Sequence, residues 1–303
     1  MPDSGAQTTV MLDRIRTEMQ QHLVKDLPTG LYVVATPIGN LGDITIRSLS
    51  VLARADVILC EDTRHSRSLL AHFGIGTPTR PYHEHNAARE RPQVLSELAA
   101  GRRVAVISDA GTPLISDPGW KLVREAIDAG HYVEALPGAS ATLTALAVAG
   151  LPTDAFLFAG FLPPKGAARR TRIAELKAVP ATLVFFEAPS RVGETLADLA
   201  GGLGDRPAAI ARELTKLHEE VRRGPLGELA GALADAPLKG EVVIVVGPPQ
   251  KGEVTDADID ARLEVALRTM RLRDAAKAVA EALGVPKSRV YTLGLARSPD
   301  KEG

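Results

Sequence analysis

The sequence predicts a protein of two α/β domains followed by a small helical domain. From Leu31 onward, short apolar runs alternate with helix-like segments, and the alternation resumes after the proline and glycine break "AGLPTD". Strands that alternate with helices favour a largely parallel sheet covered on both faces. The segment "GPPQKGE" is typical of a linker, and only helical patterns follow it. We therefore divide the chain into an N-terminal extension (1–28), α/β domains at 29–150 and 151–248, and a helical domain at 254–298.

The first α/β domain contains four short apolar runs, each followed by a longer mixed segment typical of a helix. The predicted strands are Leu31–Thr36, Asp56–Cys60, Val104–Ser108 and His131–Ala135. The predicted helices are Thr45–Ala53, Ser66–Phe73, Trp120–Ala129 and Ser140–Ala149. The extension before this domain contains "MLDRIRTEMQQHLV", which predicts an amphipathic helix.

The second α/β domain repeats the alternation, and the chain then becomes helical. Its predicted strands are Phe156–Gly160, Ala181–Glu187, Ala208–Arg212 and Glu241–Val246. Its predicted helices are Ala167–Ala178, Val192–Leu199 and Leu226–Ala234. In the last domain, Asp256–Met270 and Leu272–Leu283 are predicted helices. The segment "LGVPKSRVYTLGLA" predicts a tight turn and a third helix, the outline of a helix-turn-helix.

Composition excludes several classes of protein. Of 303 residues, 45% are hydrophobic and 24% charged, with a net charge of −1, so a uniformly basic nucleic-acid coat is excluded while a local basic patch is not. The single cysteine, Cys60, excludes an internal disulfide and any zinc site of several cysteines. The first residues carry no apolar signal-peptide core, and the longest apolar runs are too short to cross a bilayer. We therefore expect a cytoplasmic protein.

Three glycine- and proline-rich loops follow predicted strands of the first domain: Pro37–Gly42, Asp109–Gly119 and Pro137–Ala141. In a parallel sheet such loops gather at one edge, where ligands bind. The chain has neither a G-x-G-x-x-G motif nor a P-loop, so a bound NAD or ATP has little support. The three loops offer backbone amides and carbonyls, which indicates a ligand site. The alternative is that they are only tight turns.

Two polar clusters add candidate site residues. "CEDTRHS" lies at a further predicted strand end and contains Glu61, Asp62, Arg64 and His65, and "YHEHN" adds His83. Contacts to a polar substrate are the favoured interpretation of both. A metal site is the alternative, but no recognised ligand spacing accompanies these residues.

A basic segment, "PPKGAARRTRIAELK", begins the second domain's first predicted helix. Its lysine and arginines are offset within the segment only by Glu175, which indicates contact with an anionic polymer. A solvated helix face is the alternative. The predicted RNA contacts are Lys165, Arg169, Arg170 and Arg172, together with Arg191 from a later loop. Aromatic residues make up only 4% of the chain, so base-stacking platforms are not expected.

Taken together, "TPIGNLGDIT", "EDTR", "SDAGTPLISDPG", "LPGASA", "FFEAPSR", "ARELTK" and "KGEVVIVV" resemble the tetrapyrrole-methylase superfamily, in its branch that methylates small-subunit ribosomal RNA. The resemblance covers about 31–246 and implies a homodimer whose two α/β domains hold S-adenosylmethionine (SAM) in the cleft between them. By position it implies cofactor contacts from Pro37, Asp109, Gly111, Thr112, Pro113, Ile115, Ser140, Ala141, Phe186, Leu214 and Gly240. It also implies 16S rRNA, within the 30S subunit or free, as the partner.

The implied reaction is methylation of a cytidine 2′-hydroxyl in the decoding region of 16S rRNA. Because a methyl group on a sulfonium is already activated, the reaction requires no metal, only alignment and removal of the hydroxyl proton. Asp62 and Glu187 are our first candidates for the base, with Glu61, His65 and His83 as further candidates and Arg64 as a phosphate contact. The alternatives are a methyltransferase acting on a small tetrapyrrole and a non-catalytic RNA-binding protein. The basic segment opposes the first alternative and the three loops oppose the second.

Overall fold

The computed structural model describes residues 4–115, 119–234, 238–249 and 255–296. The chain divides into two compact units, Met1–Pro248 and Pro249–Gly303. Most of the predicted linker, together with residues 116–118 of the second glycine-rich loop, lies outside the described residues. None of the helices in the described ranges has the length and apolar character needed to cross a membrane.

The first sheet is built as the alternating pattern predicts. Its order is β3-β2-β4-β1-β5, and every neighbouring pair is parallel. The carboxyl ends of all five strands therefore lie at one edge. The strands are β1 (Gly30–Val34), β2 (Val57–Cys60), β3 (Thr79–Pro81), β4 (Arg103–Ile107) and β5 (Val133–Leu136). The helices of this half are α1 (Ser4–Val24), α2 (Ile46–Arg54), α3 (Thr63–His72), α4 (Ala87–Ala99), α5 (Trp120–Asp128) and α6 (Ala141–Ala149).

Two elements of this half are not predicted from the sequence, β3 and α4. β3 is only three residues long and pairs with β2 at the edge of the sheet. α4 contains Pro92, which removes one backbone donor and is normally a helix breaker. The helix forms because Val94 and Leu98 are buried in a core beneath the sheet, so tertiary packing overrides the local signal.

The second sheet is mixed and has one more strand than predicted. Its order is β6-β7-β10-β8-β9, with β6 and β7 parallel and the other three pairs antiparallel. Its strands are β6 (Phe156–Phe161), β7 (Thr182–Glu187), β8 (Pro207–Arg212), β9 (Glu220–Pro225) and β10 (Val242–Val246). Its helices are α7 (Gly166–Leu176), α8 (Val192–Leu203) and α9 (Leu226–Leu233). β9 escapes prediction because "EVRRGP" is a charged edge strand without an apolar run.

Helix α6 connects the two halves of the first unit. It begins at the third glycine-rich loop of the first half, yet Ala145, Leu146 and Ala149 pack against Val243 and Val245 of the second sheet. The opposite face of that sheet is covered by α7, α8 and α9, whose apolar side chains form a separate core. The second sheet is thus buried on both faces, and one covering helix comes from the first half.

The second unit is a three-helix domain with its own core, formed by α10 (Asp256–Leu267), α11 (Leu272–Leu283) and α12 (Lys287–Ala296). Thr255 and Asp258 cap α10 reciprocally through side-chain and backbone groups. Gly284 ends α11 in the left-handed conformation, which makes the tight turn before α12. The predicted succession of helices is confirmed.

Candidate active site

The three glycine-rich loops meet at the carboxyl edge of the first sheet, as predicted. They follow β4, β1 and β5, which are adjacent strands. Thr36 and Gly111 exchange two backbone hydrogen bonds, of 2.9 and 3.0 Å, which tie the first loop to the second. Thr112 Oγ1 donates to the Ala139 carbonyl at 3.2 Å and ties the second loop to the third. Hydrogen bonds therefore join the three loops to one another at the carboxyl edge of the first sheet.

A cavity of about 410 Å³ lies between this edge and the second sheet. We call it the large cavity. Seven residues predicted to contact the cofactor line it: Asp109, Thr112, Ile115, Ser140, Ala141, Phe186 and Gly240. Pro37 lines an adjoining cavity instead, whereas Gly111, Pro113 and Leu214 are not among the described lining residues of either. Leu214 is buried in the core beneath α6.

Charge distinguishes the large cavity from a nucleotide-triphosphate site. Four residues with carboxyl groups line it, Glu61, Asp109, Glu187 and Glu241. Its described lining contains neither lysine nor arginine. A wall of this kind favours a ligand that carries positive charge and disfavours phosphates.

Thr142 is a lining residue that the sequence did not reveal. It lies in the first turn of α6, and only 6% of its surface is exposed. Its Oγ1 has no hydrogen-bond partner within the described part of the chain, although the residue lines the large cavity. A buried hydroxyl without a partner is costly unless a ligand or water completes it. The glycine-rich loop that the sequence pattern identifies ends at Ala141. Nothing in that pattern distinguishes the next residue, Thr142, as a ligand contact.

A second cavity, of about 220 Å³, adjoins the first, and we call it the small cavity. The two share Ile38, Asp109, Ala110 and Glu241 as lining residues. Two basic side chains from other elements face the small cavity, His65 of α3 and Lys216 of the β8–β9 turn. Two adjoining cavities that share the acidic residues Asp109 and Glu241 can hold two reactants side by side.

Asp62, our first candidate for the base, is occupied as a helix cap. Its Oδ1 accepts the Arg64 backbone N–H at 2.8 Å, and its Oδ2 lies 3.2 Å from Arg64 Nη2. These hydrogen bonds from the side chain and backbone of Arg64 lower the pKa of Asp62. The Asp62 backbone N–H donates to Asp109 Oδ1 at 3.2 Å, so this segment orients Asp109. Arg64 itself extends into solvent, with 88% of its side chain exposed.

Glu187, the other first candidate for the base, lines the large cavity, and both of its carboxylate oxygens already have partners within the protein. Its side chain is 0% exposed. Its Oε1 accepts the Ala188 N–H at 2.8 Å, while Oε2 accepts the Thr195 hydroxyl at 2.7 Å and lies 3.4 Å from Arg191 Nη2. Arg191 in turn donates to the carbonyls of Leu162 and Pro163. The ion pair between Glu187 and Arg191 therefore holds the wall of the large cavity in place.

His83 lies in the loop after β3, where its backbone N–H donates to Asn86 Oδ1 at 2.8 Å. Its ring packs edge to face against His85, with centroids 6.0 Å apart. It lines neither cavity. Across the described ranges, no group of three or more His, Cys, Asp or Glu residues is placed to hold a metal ion.

The basic segment is less exposed than its sequence suggests, and Arg169 requires correction. Its side chain is 1% exposed and lies 2.8 Å from Glu194 and 2.6 Å from Asp198, both on α8. It therefore cannot face a phosphate backbone. The prediction missed these acids because they lie some 25 residues away in sequence. Lys165, Arg170 and Arg172 remain exposed on α7 and its entry.

Comparison with known proteins assigns both units to families. Residues 30–230 match the family described as Tetrapyrrole (Corrin/Porphyrin) Methylases. Residues 253–298 match the RsmI C-terminal HTH domain.

Three curated relatives share the name Ribosomal RNA small subunit methyltransferase I. The relative from Mesorhizobium japonicum is 53% identical and the match covers 88% of this chain and 92% of that protein. Those from Pseudomonas aeruginosa and Vibrio cholerae are 46% and 45% identical, with 88% and 89% of this chain and 97% of each relative covered.

Solved structures show the same fold at lower identity. A uroporphyrin-III-C-methyltransferase from Thermus thermophilus matches with a TM-score of 0.53 and 24% identity, over 72% of this chain and 94% of that one. Diphthine synthase matches with a TM-score of 0.56 and 16% identity, over 72% and 89% of the two chains.

Proposed function

This chain belongs to the tetrapyrrole methylase family and to its group named ribosomal RNA small subunit methyltransferase I, and from this premise we propose its reaction. We propose that it transfers a methyl group from SAM to the 2′-hydroxyl of a cytidine in the decoding region of 16S rRNA. The observation that carries the proposal is the large cavity where three connected loops meet, whose described lining is acidic and contains neither lysine nor arginine. Its charge suits a sulfonium ligand and opposes the phosphates of NAD or ATP.

The residues of the large cavity fit SAM in three respects. The volume of about 410 Å³ lies within the usual range for small-ligand pockets. The Thr142 hydroxyl, which has no partner in the described structure, would be completed by a polar group of the ligand. Asp109 and Glu61 would face the ligand's positive charges, while Phe186 and Ile115 would contact its apolar parts.

When bound, SAM supplies a methyl group on a positively charged sulfur. The chain's own task is then to align an acceptor hydroxyl with that methyl group, exclude water and remove the hydroxyl proton. Asp109 stands at the boundary of the two cavities and is held by the Asp62 N–H. We propose that Asp109 fixes the donor against the acceptor. Asp62 and Arg64 then act through Asp109, as positioning residues.

We further propose that the exposed cations Lys165, Arg170 and Arg172 bind the phosphate backbone of the RNA. Arg170 and Arg172 lie on α7 and Lys165 directly precedes it, whereas the positive charge of Arg169 is paired with Glu194 and Asp198 of α8. The helical unit at the C-terminus would add RNA contacts, as its helix-turn-helix family suggests. An enzyme of this kind would work in the cytoplasm, on the 30S subunit or its RNA, as a homodimer.

The test supplies SAM labelled in its methyl group to four acceptors: 30S subunits from a strain that lacks this gene, 30S subunits from the parent strain, naked 16S rRNA, and a uroporphyrinogen. The expected result is label in the RNA of the deficient strain, recovered as 2′-O-methylcytidine after nuclease digestion, and little label in parental subunits. Label in the tetrapyrrole alone would overturn the proposal. RNA binding without transfer to any acceptor would favour a binding protein.

A further inference from the structure

Lys216 is the one lysine or arginine among the described residues that line either cavity. It stands in the turn between β8 and β9, on the wall of the small cavity, which Asp109 and Glu241 also line. Removing a proton from a ribose hydroxyl places negative charge on oxygen, and such charge is best stabilised by a positive group fixed beforehand. The small cavity holds a group of that kind.

The Lys216 ammonium is held by two carboxylates. Nζ lies 2.8 Å from Glu213 Oε1 and 3.2 Å from Glu241 Oε2. Glu213 Oε1 also accepts the Glu241 backbone N–H at 2.9 Å, so the turn is joined to the start of β10. The side chain nevertheless remains 29% exposed. It is fixed in place and still reachable.

The backbone around Lys216 adopts an unfavourable conformation. Glu213 and Thr215 have φ angles of +51° and +66°, in the left-handed region that residues with side chains seldom occupy. Gly39 of the first loop comes so close that a Cβ there would lie 2.4 Å from Lys216 Cγ. Three separate segments therefore converge on this one side chain. Such strain is retained where the surrounding structure fixes it, and it concentrates at functional sites.

The protonation state of Lys216 determines its role. Burial opposes the charge, but the hydrogen bond that Lys216 donates to Glu213 and the negative charge of Glu241 outweigh it, so the pKa of Lys216 is raised. At neutral pH the group is therefore an ammonium ion, which can donate hydrogen bonds but cannot act as a base. The carboxylates of Glu213 and Glu241 outnumber it, and Asp109 lines the same cavity. A phosphate would be repelled there, whereas an uncharged ribose would not.

We propose that the small cavity receives the ribose of the target nucleotide and that Lys216 Nζ donates a hydrogen bond to its 2′-oxygen. The inference rests on the proposed function and assigns this chain's acceptor site and the charge that stabilises the transition state. The 2′-oxygen loses its proton to the imidazole of His65, which lines the same cavity. Its new bond to the methyl carbon forms as the bond between that carbon and sulfur breaks, and the electron pair of the broken bond stays on sulfur.

Three variants test the inference: Lys216→Met, Lys216→Arg and the control Lys239→Met. Lys239 is exposed, precedes the same strand as Glu241 and lines neither cavity. Calorimetry gives the SAM dissociation constant and the number of competent sites, and kcat on 30S subunits is expressed per competent site. This normalisation removes any fraction that fails to fold when the ion pairs are lost.

We expect Lys216→Met to lower kcat by about 10²- to 10³-fold, the usual loss of one transition-state donor, with SAM affinity within about threefold of the wild type. Lys216→Arg keeps the charge and should recover at least about tenfold of that loss, and Lys239→Met should match the wild type. The inference is overturned if the kcat of Lys216→Met lies within threefold of the wild-type value. It is also overturned if the defect is confined to SAM affinity, or if the Met and Arg variants have equal kcat values. Failure of the wild type to methylate the RNA would instead refute the proposed function.

Discussion

Asp109 and Thr142 differ in whether the sequence alone predicts their place in the candidate site. Asp109 stands directly after a strand, in a motif that carries the family resemblance, and it was predicted to contact the cofactor. Thr142 was not, because its position matters only through the cavity that the fold brings beside its unpaired hydroxyl. Lys216 ends the family motif "ARELTK", but the two carboxylates around its ammonium group become apparent only in the structure. Glu187 was ranked as a first candidate for the base because its partners, Thr195 and Arg191, become apparent only in the structure.

Replacing Asp109 should weaken SAM binding. Asp109→Ala removes the carboxylate shared by both cavities, and we expect the SAM dissociation constant to rise about 10- to 100-fold, the usual range for a hydrogen bond to a charged group. Asp109→Asn keeps the acceptor for the Asp62 N–H and separates orientation from charge. Calorimetry on both variants gives the answer. Unchanged affinity in Asp109→Ala would show that this carboxylate does not face the donor.

Thr142→Val should separate ligand binding from stability. The substitution keeps the side-chain shape and removes a hydroxyl that has no partner within the described residues. We expect SAM affinity to fall about 3- to 10-fold, the value of one neutral hydrogen bond, while the melting temperature of the ligand-free protein stays the same or rises. The matched control is Thr144→Val, two residues further along the same helix. Thr144 is not among the described lining residues. A lower melting temperature with unchanged affinity would contradict the assignment.

At the scale of elements, most strands of both sheets were predictable, whereas the edge strands β3 and β9 were not. Strands β1, β2, β4 and β5 are apolar runs with full burial of β1 and β2, and such runs carry a strong signal. β3 and β9 lie at sheet edges, where one side lacks a partner and charged residues are tolerated, so their sequences resemble loops. α4 was hidden by Pro92. Arg80 on β3 and Glu97 on α4 hold these two unpredicted elements together, with contacts of 2.8 and 3.0 Å.

This contact makes stability depend on pH in a defined direction. The hydrogen bonds from Arg80 outweigh the burial of Glu97 and lower the pKa of Glu97 below its ordinary 4.5. A carboxyl with a lowered folded-state pKa contributes stability above the unfolded-state pKa, and that contribution is lost as the pH falls through the folded-state pKa. The wild type should therefore lose more stability than Glu97→Gln between pH 6 and acidic pH.

At pH 6, Glu97→Gln should cost about 1–2 kcal/mol of unfolding free energy, or roughly 2–6 °C in melting temperature, and the difference should shrink at pH values well below 4.5. Thermal melts from pH 6 to pH 3 measure it. Glu175→Gln, which breaks an exposed pair with Arg172, should change little at any pH. Parallel curves for the wild type and Glu97→Gln would refute the coupling.

At the scale of the whole molecule, the proposed function assigns the binding of RNA and the binding of the methyl donor to different elements. The donor site is predicted at the edge of the first sheet, and the exposed cations stand on α7. Sequence alone suggested this division but placed Arg169 on the wrong side of it, because the acids of α8 are distant in the chain and adjacent in space. The sequence of a basic segment gives its total positive charge, whereas the fold determines how many of those charged side chains are exposed to solvent.

Arg170→Glu tests this division. It reverses an exposed charge next to the buried Arg169, so affinity for 16S rRNA should fall and the dependence of binding on salt should weaken by about one phosphate contact. SAM affinity should remain within about twofold. Filter binding across a range of salt concentrations and calorimetry provide the two measurements. Arg16→Glu, on the exposed N-terminal helix outside the matched family region, serves as control. Equal loss of both affinities would contradict the separation.

Helix α6 has a consequence for how the first unit comes apart. Its N-terminal turn faces the large cavity, while Ala145, Leu146 and Ala149 are buried against the second sheet. A polypeptide cut after residue 150 would therefore leave an apolar helix uncovered on one fragment and a bare sheet face on the other. Neither half can melt without exposing the other's core, so calorimetric unfolding of Met1–Pro248 should occur as one cooperative transition. Two fragments made by that cut should regain their fold only when mixed.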